Sequence, residues 1–233
     1  WHEVAAGTLT NGADELSYIV QGYQHGFEFH YGKLQELNRK NKQITLAAIQ
    51  NDQQEILPER TLSYDILVLA VGSVSHDFQI PGVREHCYNL DSYQNCQYFQ
   101  KNFLYQLMRL QERQQPLSIA VIGGGATGVE LAAELQYACE QALNYKVKTN
   151  KQTYHIHITL IEAAPELLTG LPKKLATKTR KILVRRNIEV RVGEQVSAVT
   201  EEGVYTQSGL MVPAALKVWA AGIKAPAFLT GLN

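Results

Sequence analysis

The sequence is poor in sulfur and carries no excess of either charge. Its three cysteines, Cys87, Cys96 and Cys139, contain no Cys-x-x-Cys pair. That excludes a disulfide scaffold and a dithiol mechanism and favours inert structural thiols in a reducing compartment. Lys plus Arg number 22 and Asp plus Glu number 22, a formal net charge of zero. No global basic field exists to hold nucleic acid, so no nucleic-acid partner is expected. No apolar run approaches the roughly 20 residues that span a bilayer, and no signal-peptide pattern is visible. A Gly-x-Ser-x-Gly elbow is missing, which removes that nucleophilic route. The seven histidines lack metal-ligand spacing. His155 and His157 share one face of an expected strand, more often an exposed face than a metal pair, and no metal is expected.

What is present is globular. Of 233 residues 45% are hydrophobic and 19% charged, which excludes disorder and supplies a core for one large domain or two modest ones. The chain starts at Trp1 and ends at Leu232-Asn233 without a recognisable stop, so a piece of something longer is expected.

Residues 1–26 suggest a short helix and little more. From Phe27 the pattern becomes a β-meander, with strands expected at Phe27 to Tyr31, Gly32 to Leu37, Ile44 to Ile49 and Ile56 to Pro58, and a turn at Asn51-Asp52. The run from Asp65 to Gly72 reads as a fully buried strand. Tyr93 to Arg113 has apolar residues at helical spacing (Phe99, Phe103, Leu107, Leu110) and no Gly or Pro. Then come a strand (Leu117 to Ile122), a helix carrying Leu131, Leu135 and Cys139, a polar stretch at 146–153, and a strand (Ile156 to Glu162). A helix (Pro172 to Asn187), a strand (Ile188 to Val192), a meander over about 194–213 and a strand (Leu216 to Gly222) complete the chain. Strand, helix, strand, helix, strand over 117–192 is the doubly wound, Rossmann-like α/β pattern. The segments ending at Gly72 and Gly222 resemble each other, which suggests two related domains of which the first lacks its opening.

Chemistry concentrates at Gly123-Gly124-Gly125-Ala126-Thr127-Gly128, a Gly-x-Gly-x-x-Gly fingerprint between a strand and a helix. Such a loop turns tightly, lets backbone approach a pyrophosphate, and presents helix N-terminal N–H groups to it. Glu162 closes the second strand, where a carboxylate can accept a hydrogen bond from the ribose 2′-OH of NAD and repel a 2′-phosphate. Its distance from Gly128 exceeds the usual ~20 residues, an excess assigned to the polar 146–153 insert. Glu130, in the first turn of the helix, is either an acid complementing the helix dipole or a carboxylate beside the cofactor. The basic run Lys173-Lys174, Lys178, Arg180-Lys181, Arg185-Arg186 reads as a solvated helix face, with a membrane or partner contact as the minor alternative.

These residues together resemble the type II NADH dehydrogenases (NADH:quinone oxidoreductases), especially the proteobacterial ones. The resemblance rests on Gly123 to Leu131, Glu3 to Gly7, Ala70-Val71-Gly72-Ser73 and Val218 to Pro226, and it covers nearly the whole chain. It implies a flavoprotein of the respiratory chain, peripheral on the cytoplasmic side of the bacterial inner membrane. NADH would pass a hydride to noncovalent FAD, and electrons would go on to a membrane quinone without proton pumping. By this resemblance Gly123, Gly124, Gly125, Ala126, Thr127, Gly128 and Glu162 hold NADH, and Ala221 and Gly222 lie near the nicotinamide. Glu130 lies by the nicotinamide–flavin contact as the candidate catalytic residue, and Ala70 and Gly72 lie by the FAD. Residues 1–78 are expected to be part of an FAD domain, 79–225 the NADH domain and 226–233 the start of a return to the FAD domain. The family's FAD pyrophosphate loop and C-terminal membrane-anchoring region are expected to lie outside this sequence, so the chain alone should bind NADH without retaining FAD. A homodimer is left open. A standalone NADH-binding or sensory module is the alternative, and a reductase of a protein such as ferredoxin a third option.

Overall fold

The structure, a computed structural model, describes residues 1–8, 17–52, 54–113, 116–150 and 155–231. The chain forms two compact units, Trp1–Ala13 with Ser75–Ile223, and Asp14–Val74 with Lys224–Asn233.

The larger unit is built on a five-stranded, all-parallel sheet. Its strand order is Ile188–Val192, Ile156–Glu162, Leu117–Ile122, Leu216–Trp219 and Tyr88–Asn89. Leu117–Ile122 is the first strand of the α/β repeat. The chain winds from it in one direction, then reverses to place Leu216–Trp219 on its other side, so its carboxyl end is a topological switch point. Ligands of open α/β sheets bind in the crevice at such a point.

The three central strands, Ile156–Glu162, Leu117–Ile122 and Leu216–Trp219, are largely buried because both faces of the sheet are covered there, as parallel sheets require. On one face Ile119, Val121, Ile158, Leu160 and Val218 meet three helices, Tyr93–Arg113, Ala126–Asn150 and Lys173–Arg185, through Phe99, Phe103, Leu131, Leu135, Cys139 and Leu183. On the other, Ala120, Ile122, Ile161 and Trp219 meet an antiparallel meander, Val196–Val199, Gly203–Thr206 and Met211–Pro213. Each fully buried Leu, Ile or Phe in these layers contributes roughly 1.5–3 kcal/mol relative to exposure. The opening helix His2–Ala6 adds Val4, Ala5 and Ala6 to the helical layer and stops at Gly7, whose left-handed backbone lets its N–H reach Val4 O. The helix Ala126–Asn150 continues through most of the stretch expected to be a polar insert, because no Gly or Pro stops it. The rest of that insert, 151–153, lies outside the described residues.

The smaller unit carries a three-stranded antiparallel sheet, Leu34–Asn38, Gln43–Leu46 and Arg60–Ser63, and a hairpin, Ile49–Asn51 with Gln54–Leu57, turning at the expected Asn51-Asp52. Two strand expectations fail. Phe27 to Tyr31 has no regular structure. Its Phe29 ring stacks on Tyr18 at 5.1 Å and meets Tyr31 edge-on at 4.7 Å, ring contacts that extended pairing does not need. Asp65 to Gly72 is not a buried strand. Ile66 and Val68 are 86% and 79% exposed, and among the described residues no strand pairs with this run. An apolar composition makes a buried strand only where neighbours take up its backbone N–H and C=O groups.

Candidate functional site

The glycine loop sits at the switch point. Gly123 N–H donates to Ile161 O (2.8 Å), and Ala220 N–H donates to Ile122 O (2.7 Å), so the end of the first strand is tied on both sides. Gly123 adopts a left-handed backbone, and a Cβ there would stand 2.6 Å from the Ala220 carbonyl. At Gly128 a Cβ would fall 1.9 Å from Gly123 O, so this glycine lets helix and strand close on each other. Gly125 differs: a Cβ there meets nothing within 4 Å. Gly125, Ala126 and Thr127 are exposed, and N–H groups in a helix's first turn have no intrahelical acceptor. The loop therefore presents an open, donor-lined mouth of positive dipole.

Glu162 enters this mouth from the adjoining strand. Its Oε2 accepts the Gly124 N–H at 2.5 Å and its Oε1 accepts the Ala164 N–H at 2.7 Å. A Cβ on Gly124 would come within 2.9 Å of that carboxylate. Glu162 stands at the strand end beside the loop, and the long helix Ala126–Asn150 accounts for most of the extra sequence between it and Gly128.

A cleft of about 480 Å³ opens beside the loop at the carboxyl ends of the strands. Gly123, Glu162 and Ala221 line it, so three sequence candidates converge there. Phe78, Glu194, Gln195 and Trp219 also line it and were not singled out by the sequence. For Glu194 a signal existed: it follows Gly193 just past the third parallel strand, as Glu162 ends the second. The Trp219 indole N–H donates to His76 O at 2.9 Å, which fixes the ring as part of the wall. Gly222 faces the Phe78 ring, which a Cβ would meet at 2.4 Å. Glu194 accepts a hydrogen bond from Ser208 Oγ–H at 2.6 Å, and the Ser208 and Thr206 hydroxyls hold its carboxyl below the usual range.

The remaining candidates lie elsewhere. Glu130 is exposed and pairs with His2 Nδ1 at 3.3 Å, outside the cleft lining. Ala70 and Gly72 are exposed and belong to the smaller unit. A second cleft, lined by Arg84, Cys87 and Lys217 among others, holds the half-buried Cys87, whose thiol burial pushes up to about 12 against the opposing field of Lys217. Lys217 itself is buried and donates to the carbonyls of Glu201 and Ala214, with its pKa lowered by that burial.

The family model of the pyridine nucleotide-disulphide oxidoreductases matches residues 3–230. The chain belongs to this family. Within it the chain is 33% identical to a type II NADH:quinone oxidoreductase of Haemophilus influenzae, over 96% of this chain and 54% of that protein. It is 30% identical to an external alternative NADH-ubiquinone oxidoreductase of Yarrowia lipolytica mitochondria, over 88% of this chain and 37% of that protein. The chain spans about half the length, or less, of these curated relatives. Among solved structures, NDH2 from Plasmodium falciparum in complex with NADH superposes with a TM-score of 0.80 at 24% identity, over 99% of this chain and 48% of that one. That likeness gives the fold of this chain, an α/β architecture with the parallel sheet described above. None of the helices among the described residues is long and apolar enough to cross a membrane.

Proposed function

We propose that this chain is the NADH-binding portion of a type II NADH:quinone oxidoreductase. The observation that carries the proposal is the Glu162 carboxylate held on the Gly124 N–H at the open mouth of a helix N-terminus. The names of its relatives support the same reading and do not favour a sensory module without redox turnover.

The residues fit a dinucleotide. The N–H groups of Gly125, Ala126 and Thr127 bind the pyrophosphate, and the open space at Gly125 admits it. Glu162, anchored by Ala164 N–H, accepts the ribose hydroxyls. Ala221 and Gly222 border the nicotinamide end, and Trp219 keeps water from that wall. Residues 79–225 form the NADH domain, and Glu130 lies toward the nicotinamide–flavin contact. When bound, NADH supplies the hydride and FAD takes it up, for electrons to reach a membrane quinone without proton pumping. For FAD the described residues offer the exposed Ala70–Gly72 backbone and no second glycine cradle, so no step through it is assigned to this chain's residues. The natural protein is peripheral on the cytoplasmic face of the membrane.

The test is the natural protein that carries this sequence. It is expected to oxidise NADH with reduction of a water-soluble quinone, and Gly125→Val is expected to abolish that turnover while the flavin stays bound. Quinone reduction that persists undiminished in Gly125→Val would refute the proposal.

A further inference from the structure

The cleft beside the glycine loop is lined by two charged side chains, Glu162 and Glu194, and by no lysine or arginine. The two acids are linked through the backbone. Past the paired strand ends, Glu194 N–H donates to Glu162 O at 2.9 Å, and Gly193 N–H donates to Ala164 O at 2.8 Å. The Glu194 side chain is also fixed from the opposite side. Its Oε2 accepts from Ser208 Oγ, which lies 3.0 Å from Thr206 Oγ1. The turn that carries Ser208 is pinned in turn, because Gln207 N–H donates to Gln195 O at 2.8 Å. Arg191, the cation whose field reaches Glu194, is ion-paired with Glu189 and is not part of the lining.

We infer that Glu194 is a second specificity-determining residue, which together with Glu162 reserves the ribose end of the cleft for a dinucleotide bearing a free 2′-hydroxyl. The inference rests on the nucleotide-binding reading above. A 2′-phosphate carries about −1.5 to −2 charges at neutral pH. In this cleft it would meet two carboxylates and no cation. Glu162 is held by the Gly124 and Ala164 N–H groups and Glu194 by the meander turn, so both carboxylates stay fixed on the cleft wall. Recognition of the 2′-hydroxyl and rejection of the 2′-phosphate are thereby divided between two strand ends.

The test is titration of the chain with NADH and with NADPH, followed by intrinsic fluorescence at two ionic strengths. Glu194→Gln keeps an acceptor for Ser208 and removes only the charge. It is expected to leave NADH affinity within about 3-fold and to raise the NADPH-to-NADH affinity ratio by about 5–10-fold at low salt, a gain that shrinks as salt screens the cleft. Ser208→Ala, which frees the carboxylate without neutralising it, is expected to shift the ratio less. A ratio unchanged in Glu194→Gln, with NADH still bound, overturns the inference and leaves the nucleotide reading standing. Failure of the unmodified chain to bind NADH overturns that reading, and the inference with it.

Discussion

Glu162 and Gly124 are joined across the mouth of the glycine loop, the carboxylate accepting the backbone N–H at 2.5 Å. The acid at the end of one strand and the donor at the end of its neighbour thus form one structure before any ligand arrives. Neutralising that acid should be felt mainly in binding. Glu162→Gln is expected to weaken NADH binding by about 1.5–3 kcal/mol, the worth of a hydrogen bond to a charged group, as read by equilibrium dialysis. Unchanged affinity would mean that Glu162 does not receive the ribose.

The three fingerprint glycines separate into two kinds. At Gly128 an added Cβ lands 1.9 Å from a backbone oxygen, whereas at Gly125 it meets nothing within 4 Å. Gly128→Ala is therefore expected to cost at least about 2 kcal/mol of stability by overpacking. Gly125→Ala should fold as the parent does and lose NADH affinity, because the new methyl occupies the space that the pyrophosphate needs. Thermal unfolding with and without NADH distinguishes the two, and a stable Gly128→Ala would contradict the packing assigned to that position.

The thiols are predicted to be inert. Burial pushes Cys139 up to about 12 and Cys96 to about 11, alongside Cys87 at about 12. Native protein should react slowly with a thiol reagent at pH 8 and react at all three cysteines once unfolded. The pH dependence has a definite sign. Above pH 9 the unfolded chain releases thiol protons that the folded chain retains, so stability falls as pH rises toward 12, by up to about 1.4 kcal/mol per pH unit for each buried thiol. Cys139→Ala is expected to flatten that alkaline fall, measured as the unfolding midpoint between pH 8.5 and 10.5. An unaltered slope would show that Cys139 does not contribute to it.

Trp219 lines the cleft and is buried, whereas Trp1 is 57% exposed. Adding NADH should quench Trp219 emission. Trp1→Phe is expected to keep the quench and Trp219→Phe to lose it. The reverse pattern would move the nucleotide away from this wall.

Four strands of the parallel sheet were legible as short, largely apolar runs bounded by turn residues, whereas Tyr88–Asn89 was not, and the helices were legible because Phe99, Phe103 and Leu107, or Leu131 and Leu135, recur at helical spacing. Glu162 was legible for the same local reason: it ends a strand beside a glycine loop. The run from Asp65 to Gly72 shows the limit. Its composition encodes a wish for burial, but pairing depends on neighbours that the run itself does not specify, and Ile66 stays exposed. Phe78 and Trp219 reach the cleft only through tertiary closure, from a loop and the central sheet. Local periodicity carries no record of that meeting. The extension of the helix to Asn150 was hidden because a polar run without Gly or Pro suits either a loop or a solvated helix.

The most direct test of the central claim is a crystal structure of this chain grown with NADH. Pyrophosphate density is expected against the N–H groups of Gly125, Ala126 and Thr127, with a ribose hydroxyl on Glu162 and the nicotinamide toward Ala221. Dinucleotide density that avoids the loop, or a fully ordered complex in which Glu162 makes no contact with it, would contradict the account.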